Sequence, residues 1–328
     1  MREIINVRNL SKQFKTLQAI DNISFSIMEG EVFGFLGPNG AGKTTTINIL
    51  CTLLSPTSGG AEIAGFDCAN NPDKVRTSIG LIFQDTTLDA GLTAYENLKF
   101  HAYLYNLDNK LTEIRIDEML AVVELQNRKH DLIKNFSGGM KRRLEIARGL
   151  LHYPRVLFLD EPTLGLDPQT RNTIWDFING LRKKEKITVF MTTHYMEEAE
   201  NCDRIAIIDH GRIIALDTPA SLKTMVHGDI IHLKTADNQL ALREIQNTFN
   251  LSARIEDDTI CLDVEKGDEF IPKMIHALTV QTLSVRLQKP TLNDVFLKLT
   301  GRTIRDEALV DDKETTREFV RSHRRAQR

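Results

Sequence analysis

GPNGAGKTTT, residues 37–46, decides how the rest of the chain is read. Gly37, Gly42, Lys43 and Thr44 satisfy the pattern G-x-x-x-x-G-K-[ST]. Glycines at these positions let backbone N–H groups approach phosphate oxygens. The lysine reaches the outer phosphates, and the threonine hydroxyl is suited to ligate Mg²⁺. Such a loop needs a strand before it and a helix after it. EVFGFLG at 31–37 is a short apolar strand running into the loop, and TTTINILCTLL at 44–54 has apolar residues at helical spacing. A glycine turn before an ordinary helix is the plain alternative, and these flanks disfavour it. The candidate phosphate-binding residues are Gly37, Pro38, Asn39, Gly40, Ala41, Gly42, Lys43, Thr44 and Thr45.

Two other stretches bear on the same chemistry. In VLFLDEPT, 156–163, four apolar residues end in Asp160 and Glu161. Beside a phosphate loop, an acid at the end of a neighbouring strand holds the Mg²⁺ shell, a role that suits Asp160. Glu161, one residue later, is placed to polarise an attacking water as general base. A buried strand ending in a charged turn is the alternative. In NFSGGMKRR, 135–143, Ser137 precedes two glycines and a helix with Met140, Leu144, Ala147 and Leu151 at helical spacing. A serine cap followed by glycines makes a second anion-binding helix start, with a simple N-cap as the alternative.

Outward from these motifs, strands are expected at 3–8, 20–27, around 61–65 and 79–83, at 155–160 and at 187–194. The segment 93–151 is mostly helical in pattern, and 168–184 is a helix opening on proline. RIAIIDHGRIIALD, 204–217, reads as two strands joined by a His-Gly turn. Strands alternating with helices give an α/β core with a mainly parallel sheet. Beyond about 225 the pattern changes to strand 229–235, helix 238–249, strands 251–256 and 259–264, helix 267–277, strand 280–287 and helix 291–301, with Asp257 and Asp258 as a turn. This is a small α+β module in which His232 and His276 stand isolated, which argues against a metal site. The expected domains are 1–225, 226–301, and a charged tail, 302–328, too poor in apolar residues to fold.

The composition excludes several classes. The chain has 328 residues, a formal net charge of −3 and a pI near 6.3, so it carries no global attraction to nucleic acid. Cys51, Cys68, Cys202 and Cys261 are spaced without any framework and read as reduced thiols. The opening MREIINVRNLSKQF has no apolar core and is not a signal peptide. No apolar run approaches the roughly 18–20 residues needed to cross a bilayer. A membrane role would have to pass through a partner.

SGGM at 137–140, following the glycine loop and just preceding LFLDEPTLGLD, resembles the signature of the nucleotide-binding subunits of ABC transporters. The resemblance covers roughly 1–225, with every motif in the expected order. It implies an α/β fold of the ABC-type P-loop ATPase kind, with a mixed sheet core and a helical signature subdomain at about 90–150. It implies ATP and Mg²⁺, with Thr44, Gln84 and Asp160 around the metal and Glu161, Gln84 and His194 as catalytic residues. Gln84 would reach Mg²⁺ and the attacking water, and His194 the γ-phosphate. Phe14 falls where the family stacks an aromatic, usually tyrosine, on adenine; a core aromatic is the alternative. Ser137, Gly138 and Gly139 would cap the ATP held by the opposite subunit, and Asp167 would cross between subunits.

FQDTTLDAGLTAYENL (83–98), SGGMKRRLEIARGLL (137–151), DEPTLGLDPQTR (160–171) and TGRTIRDE (300–307) are similar to the daunorubicin-resistance type within that family. That type carries a small C-terminal α+β domain, which matches 226–301. The resemblance implies an exporter ATPase at the cytoplasmic face of the membrane, held there by a permease. Its partners would be that permease and a second copy of itself in an ATP sandwich, with no nucleic acid. The permease would be gripped near 85–105, where Tyr95, Phe100, Tyr103 and Tyr105 cluster. The alternative is a soluble ABC ATPase acting on nucleic acid or the ribosome. The short interval between Lys43 and Ser137 and the single cassette disfavour it.

Overall fold

The computed structural model describes residues 2–226 and 228–301. The expected tail, 302–328, lies outside the described residues. The chain forms two compact units that divide between Thr218 and Pro219.

The first unit runs β1 (Glu3–Phe14), β2 (Leu17–Met28), β3 (Val32–Leu36), α1 (Lys43–Leu50), β4 (Ser58–Ile63), β5 (Phe66–Asp67), α2 (Pro72–Ser78), β6 (Ile79–Ile82), α3 (Ala94–Leu104), α4 (Asn109–Val122), α5 (Gly138–Gly149), β7 (Val156–Asp160), α6 (Pro168–Glu185), β8 (Thr188–Thr193), α7 (Met196–Ala199), β9 (Arg204–Asp209) and β10 (Arg212–Asp217). Its strands build two sheets. One is antiparallel, in the order β2-β1-β4-β5. The other has the order β10-β9-β3-β8-β7-β6 and is parallel except for β10 at its edge. The core is therefore mixed.

Continuous apolar runs explain the second sheet. Every residue of β3, β7 and β8 is buried, as strands covered on both faces must be. Aromatic rings tie the sheets together. Phe25 of β2 stacks on Phe33 of β3 at 5.5 Å and 6°. Phe190 of β8 lies 5.5 Å from Phe35 and 5.3 Å from Phe158. The helices of the middle segment start at side-chain caps: a reciprocal Thr93–Glu96 box for α3, Asp108 for α4 and Ser137 for α5.

Several boundaries differ from expectation for local reasons. β1 and β2 outrun the apolar stretches 3–8 and 20–27, because their pairing continues through polar residues as far as Phe14 and Leu17. The strand expected over 61–65 ends at Ile63, where Ala64 and Gly65 turn the chain with φ of +54° and +86°. The helix expected over 44–54 ends at Leu50, and Thr52 at φ +62° cannot continue it. Of the aromatics at 95–105, Phe100 and Tyr103 are 61% and 49% exposed.

The second unit comprises α8 (Pro219–Thr224), β11 (Asp229–Thr235), α9 (Asn238–Phe249), β12 (Ala253–Glu256), β13 (Thr259–Val264), α10 (Gly267–Ala277), β14 (Thr282–Gln288) and α11 (Leu292–Thr300). Its antiparallel sheet, β12-β13-β11-β14, has Ile231, Leu233, Ile260 and Leu262 in one core with Ala241, Ile245 and Met274 of α9 and α10. Asp257 and Asp258 form the expected turn, with φ of +46° and +61°. His232 is not isolated: its ring nitrogens lie 3.1 Å from Gln288 Oε1 and 3.4 Å from Cys261 Sγ. Among the described residues no helix is long and apolar enough to cross a membrane, and all four cysteines are free.

Candidate active site

The glycine loop joins the C-terminal end of β3 to α1, and its glycines answer to specific neighbours. A Cβ on Gly37 would come within 2.3 Å of Ile208 O, and one on Gly42 within 2.6 Å of Ala19 O. Gly40 and Gly42 also hold φ of +76° and +107°, which side chains resist. The loop is fixed from behind, where Gly37 N donates to Thr193 O at 3.2 Å.

Lys43 is buried within this loop. Its ammonium donates to Gly37 O at 2.8 Å and Pro38 O at 3.0 Å, and lies 3.3 Å from Glu161 Oε1. Glu161 follows the last residue of β7 and is itself buried. It holds a φ of +44°, a left-handed conformation that a glutamate adopts only under constraint. Thr192 of β8 supplies part of that constraint. Its hydroxyl accepts from Glu161 N at 3.1 Å and donates to Asp160 Oδ1.

His194, just beyond β8, brings Nδ1 to 3.1 Å from Glu161 Oε1, without the alignment of a hydrogen bond. Burial raises the Glu161 carboxyl. The approach of His194 and the Lys43 charge outweigh that and hold it below the ordinary carboxylate value. An ionised carboxylate is thus held at the mouth of a phosphate loop.

A cleft of about 630 Å³ opens over these groups. Phe14, Pro38, Asn39, Gly40, Gly42, Lys43, Thr44, Thr45, Gln84, Glu161 and His194 all line it. Gly37, Ala41 and Asp160 do not; each is buried. Phe14, 43% exposed, is no core aromatic, and Lys12 Nζ lies 5.0 Å from its ring centre. His210 also lines the cleft, from the β9–β10 turn, where the sequence revealed the turn and not its place.

The Thr44 hydroxyl, the Gln84 amide and the Asp160 carboxylate are hard oxygen donors. Among the described residues no three His, Cys, Asp or Glu side chains group as a metal site. Such a donor set fits an ion that takes its remaining ligands from phosphate and water.

Ser137, Gly138, Gly139 and Asp167 line none of this cleft. They gather instead at a second surface. Ser137 Oγ caps α5 by accepting from Met140 N at 3.2 Å, and Asp167 caps α6 by accepting from Thr170 N at 2.9 Å. The Thr170 contacts hold the Asp167 carboxyl below its ordinary value. A Cβ on Gly139 would come within 2.6 Å of Thr170 Cγ2, so the two capped helix starts are packed together.

Motif reasoning missed the side chains that brace these loops. Arg142 of α5, buried, donates to Phe83 O at 2.6 Å, Pro162 O at 2.6 Å and Asp160 O at 3.1 Å, and pairs with Glu145 at 3.2 Å. Burial lowers its pKa. Glu145 in turn accepts from Thr87 N at 2.7 Å. The available signal was an Arg–Glu pair at i,i+3 sharing a helix face with Ile146, on a helix whose other side carries Leu144 and Ala147 and is buried too.

Comparison with known proteins places the chain in a family. A family model described as ABC transporter matches residues 20–164. The linearmycin resistance ATP-binding protein LnrL of Bacillus subtilis is 37% identical, over 92% of this chain and all of its own length. The daunorubicin/doxorubicin resistance ATP-binding protein DrrA of Streptomyces peucetius is 37% identical, over 93% of this chain and 94% of that one. The Nod factor export ATP-binding protein I of Burkholderia lata is 36% identical, over 92% and 98%. Among solved structures, a dimeric ATP-binding cassette in a post-hydrolysis state with ADP and Pi superposes with TM-score 0.59 at 29% identity. It covers 65% of this chain and 98% of that one. The protein cbiO1 from Clostridium perfringens, part of the ABC transporter complex cbiONQ, gives TM-score 0.64 at 27% identity, over 76% and 97%.

Proposed function

The chain belongs to the ATP-binding subunits of ABC transporters and is an ATPase, and on that premise we propose that it energises an exporter of drugs, antibiotics or other amphipathic molecules. Two copies close head to tail over two ATP molecules. A permease holds the pair at the cytoplasmic face of the membrane. The observation that carries this reading is the division of the anion-binding groups into two surfaces. The glycine loop, Glu161 and His194 share one cleft, while Ser137 and Asp167 cap helices outside it. A capped helix start that lines no cleft of its own is available to one on a second copy. The resistance and export functions named for the relatives support the exporter assignment.

In this reading Phe14 stacks on the base, and the loop N–H groups and Lys43 bind the phosphates. Thr44, Gln84 and Asp160 hold Mg²⁺, which when bound offsets phosphate charge. Glu161, kept ionised, takes a proton from the attacking water as its oxygen bonds to the γ-phosphorus and the bond to ADP breaks. His194 of the same copy and Ser137 of the opposite one bind the γ-phosphoryl oxygens. The exposed Phe100, Tyr103 and Leu104 of α3 suit an apolar permease segment.

Glu161→Gln tests the closure. Losing the base should cut kcat by about 100-fold or more, and the variant should elute as a dimer with ATP and a monomer without it. It should also co-purify with a polytopic membrane protein from its host. A variant monomeric in ATP removes the sandwich, and ribosomes or nucleic acid in place of the permease remove the exporter.

A further inference from the structure

Six buried side-chain atoms among the described residues lack a hydrogen-bond partner, and five of them fall in two short segments. Thr163 Oγ1, Arg171 Nε and Trp175 Nε1 lie within 163–175, and His194 Nδ1 and Glu198 Oε1 within 194–198. Polar atoms left unpaired in a core are costly, and a cluster of them calls for a reason.

Arg171 and Glu198 are at the centre of this cluster. Arg171 sits one turn into α6, its backbone N–H donating to Asp167 O at 2.9 Å. Its guanidinium lies 4.3 Å from the centre of the Tyr195 ring, which in turn lies 4.2 Å from the His194 ring. Glu198 is 1% exposed. One of its oxygens accepts from Thr193 Oγ1 at 2.6 Å, and that hydroxyl accepts from Tyr195 N at 2.9 Å, so Glu198 holds the chain on both sides of His194. The other oxygen stands 3.7 Å from Arg171 Nε, and Arg171 Nη1 stands 3.7 Å from Glu197. These are charged contacts that stop short of hydrogen bonds. A small shift of α6 toward α7 would convert them, and a shift away would break them.

We propose that Arg171 is a positioning residue: it transmits the placement of Asp167 at the start of α6, through Tyr195 and Glu198, to His194. The contact to the opposite copy at Asp167 thereby sets the imidazole in this copy's own cleft. This rests on the two-copy closure proposed above. Coupling of this kind requires a discrete element with two arrangements. We assign that role to the Arg171–Glu198 pair, in which a half-buried guanidinium stands 3.7 Å from a fully buried carboxyl, short of a hydrogen bond.

The test is a kinetic cycle on the full-length chain with Arg171→Met, Asp167→Ala and the double variant, each assayed for ATP hydrolysis. Arg171→Met should lower kcat about tenfold with KM for ATP little changed, and Arg171→Lys should recover part of the loss. In the double variant the loss should equal that of the larger single change. In the Glu161→Gln background, Arg171→Met should still dimerise with ATP. Wild-type kcat in Arg171→Met, or losses that multiply in the double variant, would overturn the coupling. So would a rise in KM together with a fall in melting temperature that Arg171→Lys shares. If Glu161→Gln alone stays monomeric in ATP, the sandwich fails instead, a result distinct from these.

Discussion

Single residues in this chain owe their chemistry to what surrounds them. The His101 ring of α3 lies 5.1 Å from that of Tyr105, tilted against it, and Tyr105 lies face to face with His152 at 3.7 Å. Burial, then the charges of Arg148 and His152, push its pKa down from 6.5 to about 4. An unfolded chain would take up a proton near pH 6.5 that the folded chain refuses until about pH 4. Stability is therefore whole above pH 6.5 and is lost as the pH falls toward 4, by at most about 3 kcal/mol from this group. Urea midpoints measured from pH 8 to pH 4.5 should show that decline, and His101→Gln should flatten it. A slope unchanged by the substitution would refute the assignment. None of this was legible in the sequence, because His101 and His152 are far apart in the chain and nothing local signals that they share one half-buried aromatic cluster with Tyr105. Lys43, Glu161 and Thr44 were legible because their spacing follows from one loop and one strand end.

Among the elements, α5 does the most structural coupling. Its first turn carries Ser137 and two glycines, and one turn later Arg142 grips the carbonyls of Phe83, Asp160 and Pro162. Those carbonyls flank Gln84 and Glu161, so the helix that starts the second anion surface also shapes the first. Arg142→Met would remove the donor to three carbonyls, those of Asp160 and Pro162 in buried residues, and leave Glu145 buried without its ion-pair partner. A loss of about 3–5 kcal/mol in unfolding free energy is expected, readable by urea denaturation, along with weakened hydrolysis. Elements with a strong local signature were foreseeable: the fully buried β3, β7 and β8, the amphipathic α9 and α10, and the His-Gly turn before β10. Short ones such as α2, α7 and β5 were not. They hold too few residues for a period to register, and tertiary contacts fix them.

At the scale of the whole molecule, every residue lining the cleft, from Phe14 to His210, belongs to the first unit. A chain ended after Thr218 should therefore bind ATP with the affinity of the full protein, as titration calorimetry would measure. Loss of binding would make the second unit part of the first one's fold. The order of the six-stranded sheet has a further consequence, one of timing. β3, the strand that carries the glycine loop, pairs only with β8 and β9, which are encoded about 150 residues later. At about 5–20 residues per second, the ribosome leaves VFGFL without its neighbours for roughly 8–30 s. During that interval a wholly apolar strand has two open edges, so the nascent chain is most vulnerable to misassociation before its nucleotide site exists.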